Sequence, residues 1–188
     1  MKFYESGDNR KPVIFLFPGT CCLYSSFDHV LDGLHSYFYT VTVSYDGFDP
    51  NEKTEFYSME DECEKIEQEI RKKYGGRIYL VAKIQSSMVV PFMYKMVHTG
   101  TLPKFMQKKL DKTDGGKKEL YNGFLNMFGI GKGGSPWITK QSIYNQFYSD
   151  LVTKVQHGID VPGTTIHVFY ATKMGRKYEK RYCTYFKN

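Results

Sequence analysis

The sequence predicts an α/β fold, a three-layer arrangement with a parallel sheet between helices. Three observations carry this expectation. Short apolar or β-branched runs occur at residues 12–17, 39–45 and 77–82. Helical periodicity fills both intervals between them. Strand–helix–strand–helix–strand at this spacing argues parallel strands joined by right-handed crossovers.

Each element has its own reason. Pro12-Val13-Ile14-Phe15-Leu16-Phe17 is continuously apolar, as strands buried on both faces are, and Pro18-Gly19 stops it. Phe27, Val30, Leu31, Leu34 and Phe38 then recur at helical spacing, with Ser25 or Ser26 placed to cap. Residues 39–45 are β-branched and aromatic and read as strand. Asp46-Gly47-Phe48-Asp49-Pro50 is a loop by its turn residues. The next helix has an apolar stripe of Met59, Cys63, Ile66 and Ile70. Ser58 is its expected N-cap, acidic residues crowd its first turns, Arg71-Lys72-Lys73 close it and Gly75 ends it. The strand at 77–82 follows.

Beyond Ala82 the texture changes. Residues 88–128 give short helical patterns rich in Met, Phe and Lys, broken at Pro91, Gly100, Pro103 and Asp114-Gly115-Gly116. A glycine-rich loop occupies 129–136. It lacks the G-x-x-x-x-G-K-[ST] order of a phosphate cradle and reads as a linker. Ile143, Phe147, Leu151 and Val155 mark another helix, and residues 164–171 a late strand. A basic, aromatic helical pattern then runs over 176–186.

Composition narrows the function classes. The 188 residues are 41% hydrophobic and 16% aromatic, enough to build a core. Residues 1–82 hold nine Lys/Arg against 14 Asp/Glu, a net of −5, and residues 83–188 hold 17 against six, a net of +11. The basic half reads as a solvated, lysine-rich helical face. The alternative is attraction to an anionic surface or nucleic acid, but no aromatic-interleaved RNA motif accompanies it, so no nucleic-acid partner is expected. Cys21, Cys22, Cys63 and Cys183 form neither a disulfide framework nor a metal spacing. No cofactor, metal ion or transmembrane segment is expected, and the expected location is the cytoplasm.

Site candidates are few. A turn with free backbone N–H groups at Gly19-Thr20-Cys21-Cys22 could stabilise an oxyanion. The competing reading is a plain strand-to-helix turn. His29, His35, His98, His157 and His167 lie where histidines are mostly structural. Ser86 and Ser87 follow the 77–82 strand, where a nucleophile would stand. A nucleophile elbow is sharp and crowded and needs small neighbours, and Lys83, Ile84, Gln85 and Met88 are not small.

With these residues in view, the chain resembles the α/β-hydrolase superfamily, and within it bacterial esterase/lipase-like serine hydrolases. Residues 11–20 resemble the opening strand and oxyanion loop, 43–49 the next strand and loop, and 58–74 the helix before the nucleophile strand. Residues 93–100 and 138–150 look like cap sequence, and 161–170 like the late strand near the acid of the triad. The resemblance implies hydrolysis of an ester or similar acyl bond by a serine nucleophile. It also implies Gly19, Thr20 and Cys21 as the oxyanion hole, and a small hydrophobic or acyl substrate.

The departures from the pattern are as informative. The glycine-flanked serine is missing, because Ala82 runs directly into cap-like sequence. Thr172-Lys173-Met174-Gly175 offers no carboxylate, and Glu179 is the nearest. The sequence given stops at Asn188, before the segment of the pattern that bears the catalytic histidine. The expectation is a hydrolase-like core, internally shortened and C-terminally truncated, with a helical cap. Its parts are 1–82 and 161–188 for the core and 83–160 for cap and linker. Ser86 is the one positional candidate for a catalytic residue, and catalysis is expected to be impaired. The alternative is a non-catalytic binding or interaction protein on the same scaffold. Loss of a strand would leave a sheet edge unpaired, so a dimer through that edge is also expected.

Overall fold

The structure is a computed structural model that describes residues 1–75, 78–82, 90–99 and 137–153, with single residues at 104, 108, 111, 112 and 115. Met1–Val152 forms one compact unit and Thr153–Asn188 a second. The elements below all belong to the first. The Ser86 and Ser87 candidates, the 129–136 loop, His157, His167, Glu179 and the 164–171 strand lie outside the described residues.

The strands are β1 (Lys2–Ser6), β2 (Val13–Phe17), β3 (Tyr39–Ser44) and β4 (Ile78–Ala82). The helices are α1 (Asp28–His35), α2 (Met59–Lys73), α3 (Val90–Thr99) and α4 (Lys140–Val152). The sheet order is β1-β3-β2-β4. β2 pairs in parallel with β3, Phe15 opposite Val41, and with β4, Phe15 opposite Leu80. These are the three strands read from sequence, in the expected parallel arrangement. β1 was not expected. It runs antiparallel to β3, Tyr4 opposite Thr42, and makes the sheet mixed. Its five residues carry weak apolar alternation, and a long-range ladder with β3 holds them extended.

Alternation along β2 separates two cores. Ile14 and Leu16 point to one face and pack with Phe27, Leu31, Leu34 and Phe38 around α1. Phe15 points to the other, joining Val41, Val43, Met93, Met96, Val97, Ile143 and Phe147 from β3, α3 and α4. Helices therefore cover both faces of the sheet, the three layers the sequence called for. Tyr74, just past α2, meets Phe15 edge to face with ring centroids 5.2 Å apart. A fully buried phenylalanine such as Phe15 is worth about 3–5 kcal/mol against alanine.

Local signals fared unevenly. Ser58 does cap α2, its hydroxyl accepting from the Asp61 amide at 3.2 Å. Neither Ser25 nor Ser26 caps α1. Both fall within a 3₁₀ turn at Tyr24–Phe27, and Phe27 takes the cap position without a side-chain bond. The α2 stripe is also rotated from expectation. Met59, Ile66 and Ile70 pack on the core, but Cys63 is exposed and Glu62 is fully buried instead. Glu62 turns inward because its carboxylate accepts the buried Asp46 amide at 3.1 Å. That bond satisfies a backbone donor at the end of β3 that an apolar residue would leave unmet.

Candidate functional site

Parallel α/β sheets bind ligands beyond the C-terminal ends of their strands. At that end of β2, Pro18-Gly19 breaks the strand and the chain turns tightly. The Cys22 amide donates to the Gly19 carbonyl at 2.9 Å, and Cys21 sits at a left-handed φ of 56°. A non-glycine residue there is strained and is held by its surroundings. The restraint comes from α4. The Cys21 amide donates to Gln146 Oε1 at 2.7 Å, and Thr20 Oγ1 donates to Asp150 Oδ2 at 2.7 Å. Residues 146 and 150 are one helical turn apart, so they share a face of α4.

α4 bonds a second loop in the same way. Ser142 Oγ accepts from the Phe56 amide at 3.0 Å, Ser149 Oγ from the Met59 amide at 3.2 Å, and Asn145 Nδ2 donates to the Phe56 carbonyl at 2.9 Å. Ile143 and Phe147, interleaved with these, belong to the core. The helix thus presents an apolar stripe to the sheet and a buried polar stripe to the backbone of the strand-end loops. Burial pushes the Asp150 carboxyl above its ordinary value, against the opposing pull of the Thr20 hydroxyl. Burial first, and the Asp150 charge second, push the Cys21 thiol far up, so it is held as a neutral thiol.

The sequence-expected residues fall as follows. Gly19, Thr20 and Cys21 do form a turn at the end of β2. His35 joins Ser6 and Thr40 through Nε2, at 2.9 and 3.1 Å, in a bridge beneath β1 and β3. His29 and His98 are exposed, and the His98 ring stacks against Tyr94. Gln146 and Asp150 were not singled out from sequence. Their only sequence signal is a polar stripe with serines at helical spacing, 142, 146, 149 and 150, beside Ile143 and Phe147.

One acidic group among the described residues has metal-like spacing: Asp46, Asp61 and Glu62, with one oxygen of each within 4.8 Å of the others. Its charge is already met. The Lys65 ammonium lies 2.6 Å from Asp46 Oδ2 and 3.4 Å from Glu62 Oε1 and also contacts Asp61, and the Met1 amino group pairs with Asp46. Burial nonetheless raises the Glu62 carboxyl to about 7. A shallow cleft of about 480 Å³ lies elsewhere, lined by Glu55, Tyr57, Gln141, Asn145, Tyr148 and neighbours; none of the expected site residues lines it.

The topology defines an α/β fold, a mixed and mainly parallel sheet with helices on both faces. No protein-family model matches the chain, and no curated protein matches it by sequence. Among solved structures it is similar to several α/β-hydrolase family proteins over about four-fifths of its length. One is an α/β-hydrolase family protein from Desulfitobacterium hafniense, 11% identical, with 79% of this chain and 71% of that one covered and a TM-score of 0.47. Another is an enol-lactonase from Burkholderia xenovorans LB400, at 10% identity, 80% and 69% coverage and a TM-score of 0.48. A third is 1H-3-hydroxy-4-oxoquinoline 2,4-dioxygenase, at 15% identity, 79% and 66% coverage and a TM-score of 0.50. The likeness is one of fold. No helix among the described residues is long and apolar enough to cross a membrane.

Proposed function

We propose that this chain is a catalytically impaired serine-hydrolase scaffold of the ester- or acyl-bond type. The observation that carries the reading is the state of the Gly19–Cys22 turn. The turn stands where an oxyanion loop belongs, yet its Cys21 amide is already bonded to Gln146 Oε1 at 2.7 Å. An oxyanion hole works through donors preorganised for the developing charge, and a donor spent internally contributes nothing until released. Nor does Cys21 supply a nucleophile, since its thiol is buried and its pKa is raised. In this reading Ser86 does not act as an elbow serine, and α3 and α4, whose Met93, Met96, Val97, Ile143 and Phe147 pack on the sheet, belong to the scaffold itself. Free Cys21, Cys22 and Cys63, two of them adjacent, support a reducing compartment such as the cytoplasm. The test pairs short-chain p-nitrophenyl esters with a fluorophosphonate probe. The expectation is turnover close to the uncatalysed rate and no specific labelling. Strong labelling that Ser86→Ala abolishes sinks the proposal.

A second reading, as an interaction protein, draws on β4. Tyr79, Leu80 and Val81 are consecutive, uncharged and exposed, Leu80 by 60%. An exposed apolar strand without charge or proline is a template for strand pairing. The partner proposed is a second copy, joined about a twofold axis. Light scattering on the purified chain should give a dimer that Leu80→Lys converts to monomer. A wild-type monomer at tens of micromolar rejects this reading.

A further inference from the structure

We propose that the cleft between the 55–60 loop and α4 is a binding site for a small organic cation of the alkylammonium class. Such binding is independent of whether the chain turns over esters.

The two walls are built and joined by the chain itself. On the loop, Phe56 is fully buried, while its neighbours Glu55 and Tyr57 are exposed and line the cleft. On α4, Gln141, Tyr148 and Val152 line the facing wall, spaced seven and four residues apart and so on one side of the helix. Hydrogen bonds tie loop to helix. The Phe56 amide donates to Ser142 Oγ at 3.0 Å, and the Phe56 carbonyl accepts from Asn145 Nδ2 at 2.9 Å. The Met59 amide donates to Ser149 Oγ at 3.2 Å, and Thr139 Oγ1 donates to Glu55 Oε2 at 3.3 Å. The cleft is therefore formed before a ligand arrives. Its volume, about 480 Å³, falls within the range of roughly 300–1,000 Å³ usual for small-ligand sites.

The lining fixes the sign of the ligand's charge. Each wall carries one aromatic ring open to water, Tyr57 at 76% and Tyr148 at 49% exposure. Tyr148 is held in place by its neighbours. Its ring lies parallel to Tyr144 within 5°, centroids 6.4 Å apart, and 6.2 Å from Tyr94. Glu55 and Glu60 add carboxylates, and among the described residues that line the cleft none is basic. The Thr139 hydroxyl on Glu55 is neutral and leaves the carboxylate charge in place. An aromatic face and a carboxylate both attract a cation and both repel an anion. A hard metal ion gains little here, because it demands several oxygen ligands and a ring face supplies none. An alkylammonium uses every surface present: its charged head meets the rings and Glu55, and its carbon groups meet Val152.

The probe is tetramethylammonium, compared with the similarly shaped neutral tert-butanol and anionic trimethylacetate. Each is titrated into the full chain and followed by its methyl proton resonance, which the tyrosine ring currents move upfield. Tetramethylammonium should saturate in the millimolar range and bind at least fivefold more tightly than tert-butanol, with trimethylacetate weaker still. Tyr57→Leu, Tyr148→Leu and Glu55→Gln should each weaken it about two- to fivefold, the effect of one exposed cation–π or charge contact. Tyr37→Leu, at a tyrosine 71% exposed and outside the cleft, should leave it unchanged. Glu55 and Tyr57 are exposed, so their variants test the site even where Tyr148→Leu loses the fold. Equal binding of tetramethylammonium and tert-butanol overturns the proposal, as does a loss in Tyr37→Leu matching that in Tyr57→Leu. A blocked Gly-Lys-Gly peptide that binds at least fivefold more tightly than tetramethylammonium also overturns it, by making a protein's lysine the occupant.

Discussion

Gly47 should be the most substitution-sensitive glycine among the described residues. It follows β3 at φ +77°, a region costly to any residue with a Cβ. A Cβ there would lie 2.2 Å from Ser142 Oγ, 2.8 Å from Ser142 Cβ and 2.8 Å from the Phe56 amide nitrogen. The backbone penalty is about 1–2 kcal/mol. Moving Ser142 aside also breaks its 3.0 Å bond to the Phe56 amide. Leaving that donor buried and unmet costs about 1–3 kcal/mol more. Gly47→Ala should therefore destabilise by about 2–5 kcal/mol, a large share of the roughly 5–15 kcal/mol that holds a typical domain. Urea unfolding, followed by circular dichroism, measures the change. Gly33→Ala is the control. Gly33 lies within α1 with nothing within 4 Å of the added carbon, so that variant should gain about 0.5–1 kcal/mol. The double variant Gly47→Ala/Ser142→Gly should be less damaged than the sum of its parts by more than about 0.5 kcal/mol, since it relieves the shared overlap. A Gly47→Ala variant within about 0.5 kcal/mol of wild type, or strict additivity, would refute this account of the β3 end and its closure by α4.

Three further outcomes follow from the same contacts. Glu62, raised to about 7 by burial, holds its proton in the folded state at pH values where the unfolded chain has lost it. Stability should thus fall as pH rises from about 4.5 to about 7, with a slope up to about 1.4 kcal/mol per pH unit. Asp46 is shifted down despite its burial, held by Lys65 and the Met1 amino group, and so acts at lower pH. Glu62→Gln keeps an acceptor for the Asp46 amide and should flatten the decline; an unchanged slope in urea melts from pH 5 to 8 rejects it. Ser58→Ala should cost about 1 kcal/mol through loss of the α2 cap, and Ser58→Asp should restore most of it. Cys63 is exposed and Cys21 buried, so Ellman's reagent should lose a native-state reaction in Cys63→Ser and none in Cys21→Ser. The reverse pattern would mean that α2 is turned differently.

The parts of the fold legible in sequence are those whose signal is local. Phe15 and its neighbours form a strand because an unbroken apolar run is stable only when both faces are covered. Ser58 caps α2 because a hydroxyl there reaches an amide three residues on, whatever surrounds it. β1 was not legible, since its extended form depends on the ladder to β3, some 40 residues away. Cys63 and Glu62 exchanged places for a similar reason. Apolar periodicity favours the cysteine inside, but the unmet Asp46 amide draws the carboxylate inward.

The turn at Gly19–Cys22 shows the same division. Sequence alone determined that β2 ends at Pro18-Gly19 and that a tight turn follows it, because proline and glycine act on their own backbone. It also determined that three parallel strands alternate with helices, through the spacing of its apolar runs, while the order β1-β3-β2-β4 came from tertiary pairing. Only the tertiary structure decided what the turn's donors meet. Gln146 and Asp150 look like an ordinary polar helix face until α4 is set against the strand ends. There, out of water, each backbone donor must find an acceptor, and packing, not sequence proximity, chooses which one.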